Sequence, residues 1–543
     1  MPFSVNAFLS RCSFSDERRA ISAILTTLRT RIPKKRANIA AMAPGTSSAS
    51  EAIDSKKISR RSIVAGLAAL CVHGFAREVR AAETRPLAER LATYAAALRY
   101  EDLDGATIER VKSHVIDTLG CGIAAFDERP VRVCREIALT VQGPATIIGT
   151  TRKTSPDLAA FANGAAGRYY DLNDIYVGKV TSHPSDHIAP CIAVAEAERA
   201  SAHDLITAIV LAYEVDCRLV DALDLTARGW DSPVFSLPAV ALAAGKLMKL
   251  DAAKLTEAVN LAINDHIALG QTRAQVLSDW KGLADGEAAR NAVFAAMLAR
   301  GGLTGPAPIF EGRLGLFKQV SGEANIDVGE FGGRGNSFRI NRCGLKAYPA
   351  VVYTQTAIVA ATAVADEVTK GARDRVAALE RITSIEIATS RRGLQQTGSE
   401  REKWAPATRD TADHSMPYIT ARAMFDGDIT NDSYAPAKLK EPRILAFMQK
   451  ITVAEDPELT GRIGDAVPTR ITAILADGQR ISREVNDIPG FAGKPMQRPD
   501  IDRKFRGNIG KRWPREKIDA VLQSLWALER TQDIGALLAT LAV

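Results

Sequence analysis

The sequence predicts a mainly α protein, a large all-α helical domain followed by a smaller α+β domain. Three observations predict it. From about Pro86 to Gly301 apolar residues recur almost throughout at helical spacing. After about Ser337 short alternating runs stand between further helices, and Asp477-Gly478 makes a hairpin turn between two of those runs. At 543 residues, 46% hydrophobic and 24% charged, the chain is long enough for two packed domains. The expected boundaries are a leader over 1–83, the helical domain over 84–337, the α+β domain over 338–495, and C-terminal helices over 496–543 that return to the helical domain.

Each element has a local reason. Asp104 is a good N-cap for a helix running to about Phe126, and Ser155-Pro156 supplies a cap and a proline at the first helical position. Leu205, Ile209, Tyr213, Cys217 and Val220 form one apolar stripe. Further helices read at about Pro238–Met248, Ala252–Leu269 and Gly286–Arg300, the last stopped by Gly301-Gly302. In the second domain Phe338-Arg339-Ile340, Ile382–Ala388, Ile451-Thr452-Val453 and Thr469–Leu475 alternate like strands, the last turning into Gln479–Val485. Helices intervene at about Val352–Val368, Asp413–Phe425 and Arg443–Lys450, and Pro514–Arg530 and Ile534–Val543 close the chain.

The formal charge of +7 is misleading as a sign of nucleic-acid binding. Residues 1–82 carry fourteen Lys/Arg against five Asp/Glu, which leaves the rest of the chain at −2. The body therefore has no net positive field for a phosphate backbone, and no nucleic-acid partner is expected. Ser59-Arg60-Arg61-Ser62-Ile63, the short apolar run Val64–Val72 and the small residues Ala81-Ala82 read as a Tat-type export signal over about 59–82, giving a periplasmic location. A plain basic tail, and so a cytoplasmic protein, is the competing reading. Met42 offers a second start. The apolar run is too short and too rich in Gly and Ala to span a bilayer, so no stable membrane insertion is expected. The seven cysteines show no CxxC spacing, and Cys121, Cys191 and Cys217 read as buried small hydrophobes.

Candidate chemistry gathers in four stretches. Asp171-Leu172-Asn173-Asp174 and His183-Pro184-Ser185-Asp186-His187 crowd acids and two of the seven histidines between helical patterns, where His183 occupies a helix N-cap position. The bland alternative makes His183 a cap and Asp186 and His187 surface residues. A metal reading of His183 and His187 with the nearby acids ranks lower, because the two rings need not share a face. Lys281 lies in a polar turn directly before an Ala-rich helix, where a cation opposes the macrodipole and suits an anionic ligand. Lys346, in Leu345-Lys346-Ala347-Tyr348-Pro349, has the same character at the seam of the two domains. His414 and Tyr418, in Asp413-His414-Ser415-Met416-Pro417-Tyr418, are four apart and are expected to share a helix face.

This ordered set of stretches resembles the MmgE/PrpD family, over most of the chain from about Thr84 onward. The resemblance implies a helical domain, a smaller α+β lid, a cleft between them and a homodimer. It further implies catalysis on a small polycarboxylate without metal or other cofactor. Asp171, His183, Lys281, Lys346 and Tyr418 match the family's site. His183 is expected as acid/base, Asp171 as its orienting group, Lys281 and Lys346 as carboxylate holders, and Tyr418 as the group assisting a departing hydroxyl; His414 and Ser415 are expected to contact substrate. One departure stands out: the family's decarboxylase has a histidine five residues after the lysine matched by Lys346, where this chain has Val351. The expected activity is therefore a hydro-lyase on a hydroxy di- or tricarboxylate of the 2-methylcitrate type. An epimerase or racemase, a decarboxylase, and an exported carboxylate-binding protein remain as alternatives, with a metal-dependent hydrolase more remote.

Overall fold

A computed structural model describes residues 85–543 apart from 465 and 511. The leader, its export signal and Cys12 and Cys71 lie outside the described residues. Nine helices of about ten residues or more build the first part: Leu87–Ala97, Gly105–Ala124, Arg129–Ala138, Pro156–Arg168, Ile188–Ala197, Ala202–Ala222, Pro233–Leu247, Ala252–Asn264 and Ala284–Arg300. Caps set several starts. Asp104 accepts the Thr107 N–H at 2.7 Å, and Ser201 and Asp204 form a reciprocal capping box. Ser155 stands at its cap position but makes no side-chain cap bond, so Pro156 alone marks that start.

Four expectations are corrected. The Pro233–Leu247 helix begins five residues before Pro238, which sits inside it. Burial on nearly every side compensates for the hydrogen bond that proline cannot make. The next helix stops at Asn264 instead of Leu269, and residues 265–283 form an irregular segment with two 3₁₀ turns. Phe338-Arg339-Ile340 is no strand: Arg339–Arg342 is a 3₁₀ turn whose flanking Phe338 and internal Ile340 are both buried. The helix expected over Asp413–Phe425 begins only at Met416 and runs to Asp426, with Ser415 as its cap, and a separate short helix, Arg409–Ala412, precedes it.

The α+β part holds a four-stranded sheet in the order Ile451–Glu455, Ile382–Thr389, Thr469–Leu475, Arg480–Val485. The first pair is parallel and the others antiparallel. Gly478, at φ +85°, supplies the left-handed conformation that the expected hairpin turn requires. The helix Val352–Val368 covers the sheet. One apolar core joins residues from 87 to 345 with residues 496–541, and a second gathers residues from 350 to 481. Among the described residues, no helix is long and apolar enough to cross a membrane. Cys121, Cys134, Cys191, Cys217 and Cys343 are all buried and unbridged.

A second, small sheet was not visible in the sequence. Asp174–Val177 pairs antiparallel with Thr181–Ser182 on one side and with Gly344–Leu345 on the other, Asp174 opposite Leu345. Its consequence is positional, because it lays Lys346 beside the turn that carries Asp171. A close helix contact supports the same region. A Cβ on Gly286 would stand 2.9 Å from the Phe161 carbonyl oxygen and 3.0 Å from the Ala165 nitrogen. The helix that ends at Arg168 and the one that follows Lys281 therefore touch backbone to backbone. Gly286→Val should destabilise the protein by about 1–3 kcal/mol through overpacking, read as a lowered midpoint in urea unfolding with unchanged slope.

Candidate active site

The site begins where the Pro156–Arg168 helix ends. Asp171 adopts φ +51°, a left-handed conformation that aspartate tolerates better than most residues, and its N–H bonds the Arg168 carbonyl at 3.0 Å. Its carboxylate is completely buried and meets three cations. Oδ1 pairs with Arg168 and lies 2.9 Å from Lys346 Nζ, while Oδ2 lies 3.7 Å from Lys281 Nζ. Lys346 also donates to the Asp171 carbonyl at 3.0 Å. Burial alone would raise the Asp171 carboxyl, but Lys281, Lys346 and Arg168 together hold it well below the usual carboxylate range. Burial pulls Lys346 down to about 8 against the opposing pull of Asp171.

His183 precedes the 3₁₀ turn Pro184–His187, as the His-Pro pair suggested, but its side chain does not cap that turn. Instead Nδ1 lies 2.7 Å from the Asp174 carbonyl oxygen. A carbonyl only accepts, so Nδ1 carries the proton and Nε2 keeps its lone pair. Nε2 points toward Asp171, 4.0 Å from Oδ1. Burial, with Arg168 and Lys346 nearby, lowers the His183 pKa well below the ordinary value, so the ring is neutral at pH 7. The Asp174 side chain is itself held: Oδ1 accepts the Ser185 N–H, and Oδ2 accepts the Tyr213 hydroxyl at 2.9 Å with His114 Nδ1 at 3.0 Å.

The α+β part contributes Asp413 and His414. Lys281 Nζ lies 3.3 Å from Asp413 Oδ2, and Asp413 Oδ1 lies 2.6 Å from His414 Nδ1. Burial, reinforced by Lys281, lowers His414 to about 4. The structure thus brings together five sequence-predicted residues: Asp171, His183, Lys281, Lys346 and His414. It does not bring the other two. The Ser415 hydroxyl donates to the Lys403 carbonyl and accepts the Tyr418 N–H at 3.0 Å, so it is spent on the helix start. The Tyr418 hydroxyl donates to the Ser433 carbonyl at 2.7 Å, within reach of the charges of Arg422, Asp426 and Glu441 instead of Asp171. The reason is the late helix start. His414 precedes the cap and Tyr418 follows it, so the spacing of four does not place them on one face.

Asp186 and His187 are buried, not surface residues. His187 Nε2 contacts Ser236 Oγ at 3.0 Å, on a different side from His183. The paired-histidine metal reading is thereby removed. Asp171, Asp413 and His414 do offer three ligand atoms within 4.8 Å of one another. However, Lys281 sits between the two carboxylates and Lys346 on one of them, so ammonium groups hold the positions that a metal cation would need. Sequence reasoning missed Arg168 and Asp413 as members of the cluster. A helix-terminal arginine three residues before an aspartate is too common a pattern to mark a site, and Asp413 was visible only as part of a motif.

Comparison with known proteins follows the same geography. The family model for the MmgE/PrpD N-terminal domain matches residues 89–329, and that for the MmgE/PrpD C-terminal domain matches residues 348–528. A 2-methylcitrate dehydratase of Cupriavidus necator is 27% identical, covering 78% of this chain and 90% of the relative. The cis-aconitate decarboxylase-like protein oryM of Aspergillus oryzae is 24% identical over 83% of this chain and 96% of its own length. The cis-aconitate decarboxylase of Homo sapiens is 24% identical, with 83% and 94% covered.

Removing the shared carboxylate tests the electrostatics of this cluster. Asp171→Asn leaves Lys346 and Arg168 buried without their nearest anion and should cost about 3–5 kcal/mol. Denaturant unfolding measures this loss, and an unchanged midpoint would show that the three cations do not depend on Asp171.

Proposed function

The chain belongs to the MmgE/PrpD family, and from that premise we propose that it is a lyase removing water from a small hydroxy di- or tricarboxylate of the 2-methylcitrate type. One observation carries the reading: a neutral imidazole with an open Nε2 beside two buried ammonium groups, drawn from three distant stretches of chain. The imidazole is suited to take a proton from carbon next to a carboxylate. The charge that develops on that carboxylate as the proton leaves is suited to Lys281 and Lys346, whose burial strengthens their interaction with it. Asp171 holds the two ammonium groups in place. Asp174 holds the His183 ring in the tautomer that leaves Nε2 basic. Asp171, Lys281, Lys346 and Asp413 are solvent-inaccessible, so substrate reaches them only when the two cores part, as in other lidded enzymes.

Within the family, Val351 favours dehydration over decarboxylation. It is buried in an apolar cluster with Ile175, Val352 and Tyr353, and it offers no proton where the decarboxylase-like pattern has histidine. Export through the Ser59–Ile63 signal and assembly as a homodimer belong to the same proposal. The arginine pair supports the first and the family resemblance the second. N-terminal sequencing of the native protein and light scattering test them.

Screening the protein against hydroxylated and unsaturated polycarboxylates tests the activity, with stereochemical scrambling without water loss as the mark of an epimerase. His183→Gln should lower kcat on the dehydrated substrate by about a hundredfold or more, with the circular dichroism spectrum retained; activity near wild type would defeat the base role. The pH profile has a definite sign. Lys346 titrates at about 8, below the ordinary lysine value, so its ammonium form is present below that pH and lost above it. kcat/KM, which reports the free enzyme, should fall above pH about 8, whereas a rate level to about pH 10 would remove Lys346 from carboxylate binding.

A further inference from the structure

The structure leaves the departing hydroxyl without a donor if Tyr418 is turned away, and it offers another phenol. Tyr434 ends the 3₁₀ turn Asn431–Tyr434 and is buried. Its hydroxyl has no hydrogen-bond partner among the described residues. The ring lies 6.3 Å from that of Tyr418, and the Arg409 guanidinium stands over it at 4.7 Å. Arg409 opens the short helix that leads to Asp413 and His414, and it also covers the Tyr170 ring at 4.6 Å, one residue before Asp171. Tyr434 is thus wedged between the two catalytic stretches, whereas Tyr418 is bonded to the backbone of Ser433.

A buried hydroxyl without a partner costs stability, and phenylalanine would fill the same volume without that cost. Packing alone therefore does not account for the oxygen. The charges that act on it do point to a role: Asp413, Arg409 and Asp171 all reach it. Burial and the Asp413 carboxylate raise its pKa well above the ordinary phenol value, so it remains a donor at any physiological pH.

We propose that the Tyr434 hydroxyl is the lid-side donor to the substrate's departing hydroxyl group, the role that its position in the sequence suggested for Tyr418. The proposal rests on the lyase reading above. In the step, His183 Nε2 takes the proton from carbon, and the C–H electron pair is first delocalised into the adjacent carboxylate beside Lys281 and Lys346 and then forms the new C=C bond. The C–O bond breaks with its electron pair on oxygen, and the Tyr434 proton joins that oxygen to give water. The proton on His183 then returns through solvent to the phenolate, so the net loss is one water.

The test compares wild type, Tyr434→Phe and Tyr418→Phe on 2-methylcitrate. Water release is followed by the absorbance of the new double bond, and exchange of the carbon-bound proton by NMR in deuterated water. Tyr434→Phe should lower kcat about a hundredfold with KM within about threefold, keep proton exchange, and leave the melting temperature unchanged or raised. Tyr418→Phe should lower the melting temperature and leave kcat within about threefold. Equal loss of exchange and elimination in Tyr434→Phe, or wild-type kcat in it, overturns the assignment while the lyase reading stands. A wild type that releases no water from 2-methylcitrate or from any hydroxy acid of the panel overturns both.

Discussion

The organisation of this molecule depends on one buried carboxylate that answers three buried cations. Lysine and arginine side chains taken out of water cost several kcal/mol each unless paired. Lys281, Lys346 and Arg168 come from segments far apart in the chain, and all three converge on Asp171. The constraint is therefore structural before it is chemical. The turn after residue 168, the 3₁₀ turn before the Ala284–Arg300 helix and the strand at Gly344–Leu345 must fold against one another for any of these charges to be tolerated.

The second core is tied into the same arrangement through Asp413. Its carboxylate takes the remaining side of Lys281, and its backbone carbonyl accepts the Val351 N–H at 3.1 Å. The loop from 265 to 283 adds hydrogen bonds of its own, since Leu277 N–H donates to Thr411 and the Thr408 hydroxyl donates back to Leu277. A moving second core would carry Asp413 and His414 away from Lys281. Lys281 would then be exposed to an incoming carboxylate with Asp171 still holding its other side. Charge exchange of this kind, protein carboxylate for substrate carboxylate, suits a buried site in which each interaction is strong.

The proposed chemistry depends on tautomer control. The base role proposed for His183 requires Nε2 to be the unprotonated nitrogen, and a single backbone carbonyl decides this. Asp174 supplies that carbonyl from the first residue of the central strand of the small three-stranded sheet, and its own side chain is anchored by Tyr213, His114 and Ser185. The same four-residue strand thus holds the His183 ring through its backbone and carries Lys346 alongside through its pairing with Gly344–Leu345.

Most helices, the four-stranded sheet and the identity of five cluster residues were legible in the sequence because their signals are local. Apolar spacing, capping residues such as Asp104, and the Asp477-Gly478 turn all act within a few residues. Signals too short to be decisive misled: three alternating residues at Phe338 gave a turn, and a spacing of four between His414 and Tyr418 failed because Ser415 starts the helix between them. The strand at Asp174–Val177 was hidden since its near partner is only two residues long, its other partner lies about 170 residues away in sequence, and three of its four residues are buried. The sequence by itself determined which charged groups the protein possesses and which helices stand beside them. Only the tertiary structure decided which of them meet, because pairing a buried charge is a long-range condition that no local pattern encodes.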